Sequence, residues 1–207
     1  MYTDTFFFLL ILIFSVIIHE VAHGYVAEMF GDPTARLAGR LTLNPIKHID
    51  PLGSIILPVL MLLGSGGKFA FGWAKPVPYN PYNLRNYKWG TICVGIAGAA
   101  ANLLLAIIFG LILRFHDAFG IVSGPFSDIL GTIVFTNVIL AVFNLIPFPP
   151  LDGAKVLFAF LPYRFQQVHD YLERNWILFI LFVFFFAQYI ISPISGYLFH
   201  LITGLYI

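Results

Sequence analysis

Residues 17–30 read IIHEVAHGYVAEMF, and they close an apolar stretch that begins at Phe6. Of the thirteen residues from 6 to 18, only Ser15 is polar. At about 1.5 Å per residue, that run carries His19 about 20 Å into a hydrocarbon layer about 30 Å thick. Ionisable side chains at such depth are costly and mark function. His19, Glu20 and His23 are therefore the residues from which the rest of the chain is read.

The composition agrees with a membrane setting. The 207 residues suffice for one domain, and they are 59% hydrophobic and only 10% charged, against about 25% charged in soluble domains. A net charge of +1 points to no nucleic-acid partner. The single cysteine, Cys93, excludes an intrachain disulfide and a cysteine-based metal site. The run 6–18 lacks the basic region of a signal peptide, Asp4 being the only charge before it. It is read as a retained span.

The expected fold is an all-α polytopic membrane protein, a single membrane-embedded domain over residues 1–207. Five to six hydrophobic segments are legible: 6–30, 53–63, 91–113, 129–146, 176–191 and the short 194–207. Residues 53–63, GSIILPVLMLL, are too few for a spanning helix, which needs about 20 residues. With Pro58 inside, they read as re-entrant. Residues 68–81, KFAFGWAKPVPYNP, alternate around turn residues and suggest a small β-hairpin-like element or an extended loop. The small residues of GIAGAAAN, 95–102, suit close approach of helix backbones. Ser192-Pro193 is expected to break the fifth segment. Trp73, Trp89 and Trp176 fit interfacial belts, and His116 and His200, near span ends, are assigned no role.

HEVAH fits the pattern H-E-x-x-H. Residues four apart share a helix face, so His19 and His23 can hold one metal ion. Imidazole suits zinc, and a catalytic zinc keeps three protein ligands and an open position for water. Glu20, about 100° round the helix from His19, can take that water's proton without being a ligand. The bland reading is a helix whose polar residues are satisfied by hydrogen bonds. Three ionisable groups at membrane depth weigh against it.

Three residues compete as third ligand. His48 and Asp50 lie in NPIKHIDP, where a turn is the simpler reading. Asp152 follows a span and a proline run and precedes Gly153, which allows close backbone approach. Its simpler reading is a helix N-cap. Asp152 is the preferred candidate.

HEVAH together with NLIPFPPLDG, 144–153, resembles the site-2 protease family of zinc intramembrane metalloproteases, peptidase family M50. GRLTLNPIKHIDPLG, GWAKPVP and GIAGAAAN are also similar to members of that family, so the likeness covers most of the chain. It implies one zinc per chain, held by His19, His23 and Asp152, with Glu20 as catalytic base. It implies that Asn144 and Asn102 support substrate or transition state. Ala99 stands where many members have proline. The simpler reading of both asparagines is interhelical hydrogen bonding. The implied form is compact, without PDZ or CBS domains.

The expected activity is therefore zinc-dependent proteolysis of membrane-spanning segments, with single-span membrane proteins or peptides as substrates and the lipid bilayer as surroundings. A substrate helix must unwind to expose its carbonyls, and residues 68–80 are expected to offer it a strand edge. The alternatives are a membrane zinc transporter, which would carry further ligands along a path, and a non-catalytic metal-binding membrane protein, disfavoured by Glu20. A di-iron desaturase needs several histidine boxes, and six histidines are too few. Ten of the eleven Lys and Arg residues lie in the connections 31–52, 64–90 and 147–175. By that bias these connections and the active-site side are expected in the cytoplasm and the N-terminus outside; a prokaryotic plasma membrane is the expected location.

Overall fold

The computed structural model describes residues 2–64, 72–115 and 124–206. The regular secondary structure of the described residues is helical, with no β-strand among them. In chain order the α-helices are α1 (Tyr2–Met29), α2 (Thr34–Leu37), α3 (Leu57–Gly64), α4 (Tyr87–Arg114), α5 (Pro125–Asn144), α6 (Asp152–Phe160), α7 (Gln166–Arg174), α8 (Trp176–Phe182) and α9 (Gln188–Thr203). Three are long and apolar enough to cross a membrane: α1 over Phe6–Met29, all of α4 and all of α5. The chain is thus a membrane protein built on three long helices.

Each long helix has legible ends. The Asn86 side chain caps α4 by accepting from Trp89 N at 3.1 Å, satisfying one otherwise orphaned N–H. Pro125 stands in the first turn of α5, where no N–H is needed. Beyond Asn144 come Pro147, Pro149 and Pro150, which cannot continue a helix.

The three long helices pack as an antiparallel series. Ser15, His19 and His23 of α1 meet Asn102, Gly98 and Val94 of α4, in reverse order. Asn102 and Leu113 of α4 meet Asn137 and Gly131 of α5, again reversed. Small residues permit this closeness. A Cβ on Gly110 would lie 2.2 Å from Ile202 of α9, so α9 seats directly on that backbone. Ala106, Val134, Val138, Val142 and Phe199 form the core shared by α4, α5 and α9.

Residues 30–86 leave and return at one end of this bundle, since Arg85 N donates to Phe30 O at 2.8 Å. Asp32 ties the return. It accepts from Thr34 and from Asn83 Nδ2 at one oxygen, and from Asn80 N (2.6 Å) at the other. Within this excursion, residues 51–64 form one helical stretch, a wide π-type turn over Pro51–Ile56 followed by α3. Residues 72–80, where part of a hairpin was expected, have no regular secondary structure, and residues 65–71 lie outside those described. Pro76 and Pro78 remove the donors that a ladder would use. The coil is held instead by single contacts: Trp73 N to Gly53 O, Lys75 N to His48 O, and the Arg40 guanidinium to Lys75 O at 2.7 Å and Pro76 O at 3.3 Å.

The break expected at Ser192-Pro193 is absent. The chain is helical from Trp176 to Thr203, through a π-type turn at Val183–Ala187 and past Pro193 inside α9. In an apolar setting, stopping a helix strands more backbone groups than the one bond a proline removes.

Candidate metal centre

α1 presents His19 and His23 one turn apart on its buried face, 5% and 6% exposed. The irregular turn after α5 brings Asp152 to them as the first residue of α6, with Leu151 in the capping position and no side-chain cap. The carboxylate therefore does not cap its helix. His19 Nε2 lies 3.1 Å from Asp152 Oδ2, His23 Nε2 lies 3.0 Å from the same oxygen, and the two Nε2 atoms are 3.0 Å apart.

This triangle fits a metal ion better than a hydrogen-bond network. His23 Nδ1 lies 2.6 Å from Val94 O, a backbone carbonyl that can only accept. His19 Nδ1 lies 2.6 Å from Asn102 Oδ1. In its neutral form each ring keeps its proton on Nδ1 to meet these acceptors, which leaves both Nε2 lone pairs facing the Asp152 carboxylate. Three lone-pair donors converging in a buried space repel unless a cation lies among them. Four-coordinate zinc with donors at about 2.0–2.1 Å spaces them about 3.3 Å apart, close to the observed triangle.

Two glycines shape the site. A Cβ at Gly98 would fall 2.4–2.5 Å from the His19 and His23 rings, so both imidazoles rest on bare α4 backbone. A Cβ at Gly153 would lie 2.2 Å from Leu145 O, so the turn that delivers Asp152 closes only on glycine. Lys155, one turn along α6, holds the other Asp152 oxygen, with Nζ 2.8 Å from Oδ1. It also lies over the Tyr79 ring, 5.6 Å from the centroid. Sequence reading singled out neither Gly98 nor Lys155. The small-residue run signalled close packing, but not against which side chains.

Glu20 takes no part in the triangle. Its Oε2 accepts from Val77 N of the 72–80 coil at 2.8 Å, and Val77 is buried. Asn102 is fully buried behind His19. Asn144 bonds its own helix, Nδ2 to Leu140 O at 2.9 Å. Between α4, α5 and α9 lies an apolar pocket of about 330 Å3 lined by Leu103, Ala141, Leu145, Pro147, Ile190 and Ile194 among others; Asn144 is not part of that lining. His48 and Asp50 are not brought to the triangle. His48 Nε2 bonds Thr42 O at 2.8 Å, and Asp50 Oδ1 caps Gly53 N at 2.7 Å. His116 lies outside the described residues. Outside the spans, burial pushes the Asp32 carboxyl up, but hydrogen bonds from Thr34, Asn83 and Asn80 outweigh it and hold it below the usual carboxylate range.

The sequence model of "Peptidase family M50" matches residues 119–188. The chain is 37% identical over 192 residues to "Putative zinc metalloprotease YwhC" of Bacillus subtilis, covering 88% of this chain and 82% of that protein. It is 36% identical over 144 residues to "Putative zinc metalloprotease Rip2" of Mycolicibacterium smegmatis, covering 69% of this chain and 52% of that protein. It is 28% identical over 158 residues to "Zinc metalloprotease MJ0392" of Methanocaldococcus jannaschii, 76% of this chain but 35% of that protein. No solved structure matches the chain.

Proposed function

Because the chain belongs to the site-2 protease family, peptidase family M50, membrane-embedded zinc metalloproteases, we propose that it hydrolyses peptide bonds within, or at the edge of, the membrane spans of other proteins. His19, His23 and Asp152 hold the zinc. The observation that carries this reading is the buried triangle of ligand atoms, 3.0–3.1 Å on a side, between membrane helices.

Bound there, zinc supplies a Lewis acid that polarises a carbonyl and lowers the pKa of water. The other steps fall to the chain's own side chains. Glu20 receives the proton of the attacking water at Oε1, its Oε2 being held by Val77 N, and passes that proton to the leaving nitrogen. Asn144 Oδ1, which has no hydrogen-bond partner among the described residues, holds the substrate backbone. The coil 72–80 offers its extended edge to a substrate segment that has unwound to free its carbonyls.

The excursion 30–86 stays on one side of the membrane, so residues 53–63 do not cross, and by the positive-inside rule that side is cytoplasmic. Cysteine labelling from each side, in a Cys93→Ala background, should give positions 40 and 75 one accessibility and position 114 the other. Opposite labelling of 40 and 75 would overturn this topology.

The decisive test of the activity uses the purified full chain in lipid with a panel of single-span substrates. Cuts inside the spans, abolished by a chelator and restored by zinc, are expected. Cleavage indifferent to the chelator, or zinc movement across vesicles with no cleavage, would reject the proposal.

A further inference from the structure

The two histidines of the triangle are oriented by unequal means. His23 Nδ1 faces a backbone carbonyl, Val94 O, whose polarity is fixed by covalent structure. His19 Nδ1 faces a side-chain amide, Asn102. An amide can present either its oxygen or its NH2 group. With the oxygen towards His19, Nδ1 carries the proton and Nε2 is free to bind metal. With the NH2 group towards His19, the proton moves to Nε2 and blocks that ligand.

What sets the Asn102 amide is a second buried asparagine that the sequence reading did not single out. Asn102 Nδ2 donates to Asn137 Oδ1 at 2.8 Å and to Ser15 O at 3.3 Å. Asn137 Nδ2 donates to Ile133 O and to Ser15 Oγ, both at 2.9 Å. Both asparagines are 0% exposed. The relay is anchored on backbone carbonyls, which can only accept. Ile133 O draws the NH2 group of Asn137, which turns Asn137 Oδ1 to Asn102. That oxygen and Ser15 O together draw the NH2 group of Asn102, which turns its oxygen to His19. Reversing Asn102 would set oxygen against oxygen at two contacts in a dry interior, where an unsatisfied polar group is expensive.

We infer that Asn137 is a positioning residue for the metal centre: it fixes the polarity of the Asn102 amide, and through it the His19 tautomer that binds zinc. The inference rests on His19 as a zinc ligand.

Zinc affinity, measured by chelator competition on the full chain in lipid, tests it. Outer partners of metal-ligating histidines are typically worth about 10–100-fold in affinity, and Asn137→Ala should weaken binding by that factor. In an Asn102→Ala background no amide is left to orient. There, adding Asn137→Ala should change affinity by less than about threefold. An equal loss in both backgrounds would make Asn137 a packing residue and overturn the inference. If Asn137→Ala does not fold, 15N NMR of the zinc-free wild-type protein, at a pH where the rings are neutral, decides. His19 protonated on Nδ1 supports the relay, and His19 protonated on Nε2 overturns it. His19→Ala separates the two levels. If it keeps full zinc affinity, the ligand reading falls and this inference with it. If it loses zinc while Asn137 behaves as a packing residue, only the relay falls.

Discussion

The metal centre has two walls, and they are built differently. The inner wall is the contact of α1 with α4 and α5. Gly98 there lets both imidazoles lie on bare backbone, and Asn102 and Asn137 are fully buried with every amide group engaged. The outer wall is the coil 72–80, which has no regular structure and hangs on contacts from Gly53, His48 and Arg40. His19 and His23, the proposed ligands, belong to the inner wall. Glu20 touches the outer one, through Val77 N. On the proposed reading, the contrast makes holding a metal and presenting a base separable tasks. The first is done by close helix packing, which deforms little. The second depends on a segment without regular structure, held by single hydrogen bonds from other parts of the chain.

The strongest way to probe that separation is to remove the base and spare the ligands. Glu20→Gln should keep zinc and lose about 10²–10⁴ in cleavage rate, the usual cost of a positioned general base. Paired metal analysis and cleavage assays check this, and normal turnover would end the mechanism. Asp152→Ala should do the opposite, emptying the site and stopping cleavage together, while His48→Ala leaves the metal content intact. The reverse pattern in metal analysis would mean that the wrong third ligand has been chosen.

Gly98→Ala attacks the inner wall without altering a ligand. A methyl group 2.4–2.5 Å from both rings must displace them, an overpacking cost of about 1–3 kcal/mol. Zinc affinity should fall about 5–150-fold as that cost is expressed in binding. Gly196→Ala, which meets nothing within 4 Å, should leave affinity unchanged. Equal affinities for the two variants would show that the histidines do not depend on close packing.

Arg40→Ala loosens the outer wall alone. Its hydrogen bonds to the Lys75 and Pro76 carbonyls are charge-assisted and worth about 1.5–3 kcal/mol. Amide exchange at Val77 should accelerate about 10–100-fold, with zinc content unchanged. Loss of zinc in this variant would join the two walls into one unit.

The smallest effect concerns the tie that returns the excursion to the bundle. Asp32 meets only donors, so Asp32→Asn sets an NH2 group against one of them and should cost about 1–3 kcal/mol at neutral pH. Because the folded Asp32 carboxyl is held below its ordinary value, its stabilisation is complete above about pH 3.9 and is lost as pH falls through the lower folded value. Thermal unfolding of the two proteins should therefore begin to converge below about pH 3.9 and coincide once pH has passed the lower folded value. A gap that persists there would mean that the carboxylate charge is not what stabilises the tie.

How much of this was legible beforehand follows from the range of each force. Helix periodicity is local. HEVAH sets His19 and His23 on one face of a helix whatever surrounds it, and the apolar runs mark the three long helices by length and composition. The proline run and Gly153 marked the end of α5 and the tight turn before Asp152, and those signals also lie within ten residues. Beyond that distance the sequence was silent. Nothing local says that Gly98 lies under both imidazoles, because that depends on the register of α4 against α1. Nothing local says that Val77 N meets Glu20 or that Lys155 neutralises the far side of Asp152. The continuation of α9 past Pro193 was missed because proline's local penalty was weighed without the apolar surroundings that make an early stop costlier. Asn137 was invisible for a related reason: one buried asparagine in a span looks like any other. The sequence by itself determined which residue types could bind and activate, since periodicity and burial are written in neighbouring residues. Only the tertiary structure decided how they are oriented, since an amide's polarity and a ring's tautomer are set by carbonyls more than a hundred residues apart in the chain.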